Sequence, residues 1–361
     1  MRSGLAQLPL HGGKAPHWLF SRMVKLARDI TCHIVDEFGP AEMLSRLSDP
    51  YWFQAFGCVL GFDWHSSGVT TTTCGAVKEG IKELEDDLGF YACGGKGGTS
   101  RKTPSEINIK CEKLGRDSKD LVYASKMSAK VDNSALQDGF TLYHHCFFFT
   151  SDGSWAVVQQ GFDETRKTAR RYHWISSELE NFVEEPHSAI CCDKKKPTLN
   201  LVARESRENT NIMTELVNLP PDKLQKDLQK LPNLVMPNRH PVTIEDVNSK
   251  YLQKIFLKTY ESAPKNFESL LGIAGVGPKT LRALSLTAEI IYGSKVSTKD
   301  PARFSFAHGG KDGTPYPVDI NTYEKTIEVL SNALDKSKVD RSEKIKALKR
   351  LGSFGRVHKK N

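Results

Sequence analysis

The chain has 361 residues, 39% of them apolar, enough for one large globular domain or two ordinary ones. Its longest apolar stretch, residues 52–62, is too short to cross a bilayer, and the opening residues hold no long apolar segment of the secretory type, so a cytoplasmic protein with no membrane partner is expected. The net charge of +8 is concentrated at the C-terminus: from Lys336 onward ten Lys or Arg stand against Asp340 and Glu343, which predicts a polyanionic partner.

The eight cysteines form no C-x-x-C pair, so neither a disulfide framework nor a zinc ribbon is indicated, and reduced thiols are expected. In chain order, the first element is an amphipathic helix: Leu19, Met23, Leu26, Ile30, Ile34 and Val35 fall near helical spacing, and Gly39-Pro40 ends it. Residues 49–84 then bring Asp63, His65, Ser66, Ser67 and four threonines ahead of a helix expected from Ala76 to Leu84. Such a run either holds a phosphate or a metal-bound water, or is a Ser/Thr-rich loop that caps the helix.

"GGKGGTSRKTPSE", residues 94–106, joins a glycine loop carrying Lys96, Arg101 and Lys102 to a helix start with capping-box spacing at Thr103 and Glu106. Gly97 follows Lys96 where a Walker A motif needs Ser or Thr, so the loop is not a P-loop. Residues 142–149 and 155–158 read as strands joined across Ser151-Asp152-Gly153.

His144 and His145 are neighbours in the first of these strands and so point to opposite faces. Asp63, His65 and His144 are the candidate metal ligands, a divalent metal is the candidate cofactor, and such a site suits a nuclease. In "RKTARRYHW", residues 166–174, Arg170 and Arg171 alternate with aromatic residues. This pattern suits contact with a nucleic-acid strand, or else a solvated helix edge with its aromatics inside.

A charged, proline-flanked seam near 184–200 separates this half from one of helical pattern. Thr243–Asp246 has the spacing of a helix cap, with Val247, Tyr251, Ile255, Phe256 and Tyr260 expected on one side of the helix it opens; residues 322–334 and 342–351 repeat the helical period. The expected fold class is α+β, with a mixed α/β domain over 1–195, an all-helical domain over 196–335 and a basic helix or tail over 336–361.

The most specific segment is "LLGIAGVGPKTLRAL", residues 270–284. Its glycines let the backbone approach a phosphate, Pro278 suits a first helical position, and Lys279 sets a charge beside the amides of a helix start. The segment resembles the helix-hairpin-helix DNA-binding motif, with Gly275-Val276-Gly277 as its hairpin. That resemblance implies backbone contacts of little sequence specificity from Gly275, Val276, Gly277, Lys279, Thr280 and Arg282.

The "GVGPKT" lysine and the aspartate of "YPVDINTYEKTI" resemble, more narrowly, the base-excision glycosylases similar to endonuclease III. This implies a Schiff-base role for Lys279 and a carboxylate role for Asp319. No cysteine follows Cys192, so the C-terminal iron–sulfur cluster of many such enzymes is not expected.

Over nearly the whole chain, "LPLHGGKAPHWLFSRM", "FGCVLGFDWHSSGVTTT", "LYHHCFFF", "VVQQGF" and "ARRYHW" look like a family of archaea and bacteria catalogued as a domain of unknown function. The expectation is a DNA-binding protein of DNA repair or processing. It is either a glycosylase or lyase using Lys279 and Asp319, a metal-dependent nuclease with its site in the N-terminal domain, or a non-catalytic scaffold; the sequence leaves its oligomeric state open.

Overall fold

Residues 17–38 form the expected amphipathic helix, α1 (His17–Phe38), which buries Met23, Leu26, Ile30 and Ile34 and stops at Gly39, whose φ of 86° suits a residue without a Cβ. The structure, a computed structural model, describes residues 15–62, 67–165, 167–192, 195–230, 250–302 and 320–354. Helices α2 (Pro40–Ser48) and α3 (Pro50–Leu60) follow directly. Asp49 caps α3 by accepting from the amides of Tyr51 at 2.7 Å and Trp52 at 3.2 Å. Every residue of α3 is buried, which accounts for the long apolar stretch. Among the described residues no helix is long and apolar enough to cross a membrane.

Helix α4 (Gly68–Ile81) starts earlier than expected, so the four threonines lie within its first turns and not in a capping loop. Thr70 and Thr73 are buried against the body, and that packing overrides the weak helix propensity of threonine. The short α5 (Glu85–Leu88) leads into an antiparallel sheet of β1 (Phe90–Lys96), β3 (Thr141–Thr150), β4 (Trp155–Asp163), β5 (Thr168–Ile175) and β6 (Ala189–Cys191), in that order across the sheet. The expected β3–β4 hairpin is present, closed by Gly153 N–H donating to Thr150 O at 2.9 Å. A second, two-stranded sheet pairs β2 (Leu136–Gln137) with β7 (Leu199–Asn200).

Both faces of the larger sheet are covered. Tyr91, Phe147, Phe149, Val157, Tyr172 and Trp174 face one core, and Phe90, Ala92, Cys146, Phe148 and Val158 face the other. The second core is filled by α1 to α4 together with α13 (Ile320–Lys336) and α14 (Arg341–Phe354). On the first pack α6 (Thr103–Lys113), α7 (Lys119–Lys130), α8 (Arg207–Val217), α9 (Pro221–Lys230), α10 (Lys250–Ser262), α11 (Phe267–Gly272) and α12 (Pro278–Tyr292). The molecule is α+β, as expected.

Helices α13 and α14 return to the N-terminal helices, where Leu330, Ala333, Ala347 and Leu351 join α1 and α3 in one core. At the start of α6 the expected capping box is replaced: Thr103 Oγ1 donates to Ser100 O at 2.7 Å, while Glu106 accepts from Gly94 N–H at 2.8 Å and from Lys78 at 2.6 Å. Thr243–Asp246 lies outside the described residues.

Candidate nucleic-acid interface

The 270–284 segment folds as α11, a turn over 273–277, and α12. Asn266 and Ser269 open α11 with a reciprocal capping box: the Ser269 amide donates to Asn266 Oδ1 at 2.9 Å and the Asn266 amide to Ser269 Oγ at 3.1 Å. Leu270, Leu271, Leu281 and Leu284 are fully buried, and Val276 is driven inward to 1% exposure, so the turn is pinned from below by its own middle side chain. Gly275 has φ 100°, and a Cβ there would overlap Ile255 Cδ1, which requires glycine on two counts. Gly277 is the N-cap of α12 and has no side chain with which to accept from the first-turn amides; Pro278 occupies the first helical position.

The carbonyl oxygens of the turn are all taken up from within the protein. Lys130 Nζ donates to Ile273 O at 3.3 Å and also to Val276 O, and Lys258 Nζ to Ala274 O at 2.9 Å. The Tyr251 hydroxyl donates to Gly275 O at 3.1 Å, Leu281 N–H to Gly277 O at 3.0 Å, and Gln137 Nε2 to Pro278 O at 2.9 Å. The same Gln137 accepts from Arg282 Nε at 2.9 Å. With its carbonyls satisfied by these donors, the rim of Ala274, Gly275 and Lys279 is exposed. Burial and, second to it, the neighbouring Lys258 push the Lys130 ammonium below its usual range.

Of the expected contacts, Gly275 and Lys279 are exposed and Gly277 and Arg282 half-buried, whereas the side chains of Val276 and Thr280 are buried and leave only backbone to a ligand. Lys279 stands at the surface and not in an enclosed pocket. Its suggested partner Asp319 lies outside the described residues.

Arg170 and Arg171 do not form a basic surface; both are fully buried. They sit side by side in a central strand, so their side chains leave by opposite faces and enter different cores. Arg170 bridges Asp138 at 2.8 Å and Asp300 at 2.6 Å and lies over the Phe140 ring. Arg171 donates to His173 Nε2 at 2.8 Å and Gln54 Oε1 at 3.1 Å and lies over Phe53. They are structural clamps, and the expectation that they touch DNA is corrected.

Asp63 and His65 lie outside the described residues. His144, the third candidate ligand, is buried, and neither ring nitrogen has a partner; burial, reinforced by the charge of Lys96, pushes its imidazole down to about 3. It sits at a register shift in β3, opposite Gln160, whose Nε2 donates to Tyr143 Oη and to Ser67 O. His145 points to the other face as expected, meeting Ser125 Oγ at 2.9 Å and Gln159 Oε1 at 2.8 Å. Gln159 also donates to buried Asp132, which accepts from Trp174 and pairs with His187. Among the described residues no three His, Cys, Asp or Glu side chains stand together as metal ligands.

The basic C-terminal helix is not contiguous with the turn. Its Ala347 and Leu351 are buried in the core on the other face of the sheet, Arg350 donates to Val59 O at 2.7 Å, and Lys336 pairs with Glu37. A cleft of about 1230 Å³ between α1 and these last helices mixes Lys25, Arg28 and Lys338 with Asp29, Asp36 and Asp340, and so offers no single sign of charge.

Lys130, Gln137, Tyr251 and Lys258 were not legible as parts of a site, because each reaches the turn only through the fold. Tyr251 and Lys258 are seven residues apart in "YLQKIFLK", a helical spacing that was readable, but nothing in the sequence tied it to the turn. No curated protein and no solved structure matches the chain. Residues 4–318 match the family model described as a protein of unknown function, DUF763, and the chain therefore belongs to that family.

Proposed function

We propose that the protein binds DNA through its phosphate backbone, as a component of DNA repair or processing, with the turn at 273–278 as the grip. The observation that carries this reading is the arrangement of the turn itself. Its carbonyls accept from Lys130, Lys258, Tyr251 and Gln137, while its exposed rim carries glycine backbone and Lys279. A phosphate requires donors and positive charge and is repelled by exposed carbonyls, and this geometry meets both conditions. Backbone contacts carry no base information, so affinity should be indifferent to sequence.

Two labelled duplexes of unrelated sequence test the reading by fluorescence anisotropy. Equal affinity, reduced about tenfold when Lys258→Ala and Lys279→Ala are combined, supports it. Absence of duplex binding by the intact protein refutes it. The surface position of Lys279 favours a phosphate contact over a Schiff-base role; borohydride trapping on abasic DNA, if observed and lost in Lys279→Ala, would establish the lyase instead.

His144 supports a second reading, a metal-dependent nuclease, since a neutral buried imidazole with both nitrogens unpartnered suits a metal ligand. Cleavage abolished by EDTA and by His144→Ala would establish it.

A further inference from the structure

The helix expected to carry Tyr251, Ile255, Phe256 and Tyr260 on one side does otherwise. Leu252, Ile255 and Phe256 are buried, whereas Tyr251 is 61% exposed and Tyr260 42%. The two tyrosines lie nine residues apart, on opposite sides of the helix. Only Tyr251 faces the turn, where its hydroxyl donates to Gly275 O at 3.1 Å.

That bond fixes the ring. A tyrosine held at its hydroxyl has already given up much of its rotamer freedom, so a flat group laid on it costs less to bind than on a freely rotating ring. The ring is also placed among cations. Exposed Lys254 and Lys258 follow at helical spacing on the same side of α10, and Lys258 and Lys130 both reach the carbonyls of the turn. An exposed aromatic face in a row of lysines is the arrangement that tracks a single strand, with charge for the backbone and a π-surface for an unpaired base.

We infer that Tyr251 is a stacking platform for an unpaired base, and that the preferred substrate is DNA in which a duplex opens into a single strand beside the turn. This rests on the proposed grip of the backbone by 273–278. It deepens that reading by assigning the substrate class. Duplex phosphates lie on the rim of Gly275 and Lys279, and the first unpaired base turns onto Tyr251, with its strand continuing along Lys254 and Lys258. Intact blunt duplex uses the rim alone.

The test compares a blunt duplex with a forked DNA of the same paired sequence, in which 2-aminopurine is the first unpaired base, using the full chain at fixed salt. The intact protein should bind the fork about tenfold more tightly than the blunt duplex and quench the aminopurine fluorescence. Tyr251→Ala should abolish both the quenching and the preference, the latter read as the ratio of fork to blunt-duplex affinity within the variant, so that any loss common to both DNAs from the missing bond to Gly275 O cancels. Tyr251→Phe and Tyr251→Trp, which keep a flat ring but lose the bond to Gly275 O, should retain both in reduced measure.

Equal affinity of the intact protein for fork and blunt duplex overturns the inference while leaving the backbone grip standing. So does a preference that survives in Tyr251→Ala. If neither DNA is bound, the grip itself has failed. A loss of blunt-duplex binding in Tyr251→Ala as large as the loss on the fork would make Tyr251 a prop of the turn, and also overturns the inference.

Discussion

Single residues in this protein take their roles from the direction in which the backbone points them. Arg170 and Arg171 are adjacent, basic and flanked by aromatics, a pattern that suggests a surface; in a strand covered on both faces it gives two buried clamps. Replacing Arg170 with Met would leave Asp138 and Asp300 buried without their cation, and the expected loss is about 3–5 kcal/mol in urea unfolding. A loss near zero would show that the bridge contributes only orientation.

His144 adds a pH dependence. Its imidazole is pushed from the ordinary 6.5 down to about 3, so between these values the unfolded chain takes up a proton that the folded chain refuses. Its share of stability is therefore intact above pH 6.5 and lost progressively as pH falls toward 3. His144→Leu should remove about 3–5 kcal/mol of that acid-side loss, read as a shallower fall in unfolding free energy below pH 6 than in the intact protein. An unchanged slope would contradict the buried, neutral histidine.

At the scale of elements, legibility followed the number of neighbours. Helix α1 was readable because one face packs and the other is solvated, which writes a helical period into Met23, Leu26, Ile30 and Ile34. The β3–β4 hairpin was readable because its turn chemistry is local. Strand β5 and helix α4 were not, since the burial of arginines and threonines is decided by what lies above and below them. Of the turn at 273–277, the shape was legible in its glycines and Pro278, but its supports were not: Lys130 and Gln137 come from the end of α7 and from β2, far away in sequence.

Those supports make the turn a unit. Gly275→Ala forces a side chain into a left-handed backbone and against Ile255, and should cost at least about 1–2 kcal/mol in thermal or urea unfolding. Gly277 has an extended φ of −138° and no close neighbour for a Cβ, so Gly277→Ala should be tolerated in stability. Equal costs at the two positions would contradict the described turn.

For the whole molecule, the sheet separates two helical layers. The turn at 273–278 belongs to one layer and the basic C-terminal helix to the other. The concentration of positive charge visible in the sequence and the site proposed from the structure are therefore different surfaces. Net charge could suggest a polyanionic partner but could not say where it would lie, because α14 returns to cover α3.

The most direct measurement is the salt dependence of duplex binding in three versions of the full chain: intact, Lys258→Ala with Lys279→Ala, and Lys344→Gln with Lys346→Gln and Lys349→Gln. The account predicts a linear fall of log affinity with log salt. The slope should become shallower by about 1 in the first variant, for the one duplex phosphate contact removed with Lys279, and stay unchanged in the second. A slope flattened by the C-terminal substitutions and untouched by those at the turn would contradict it.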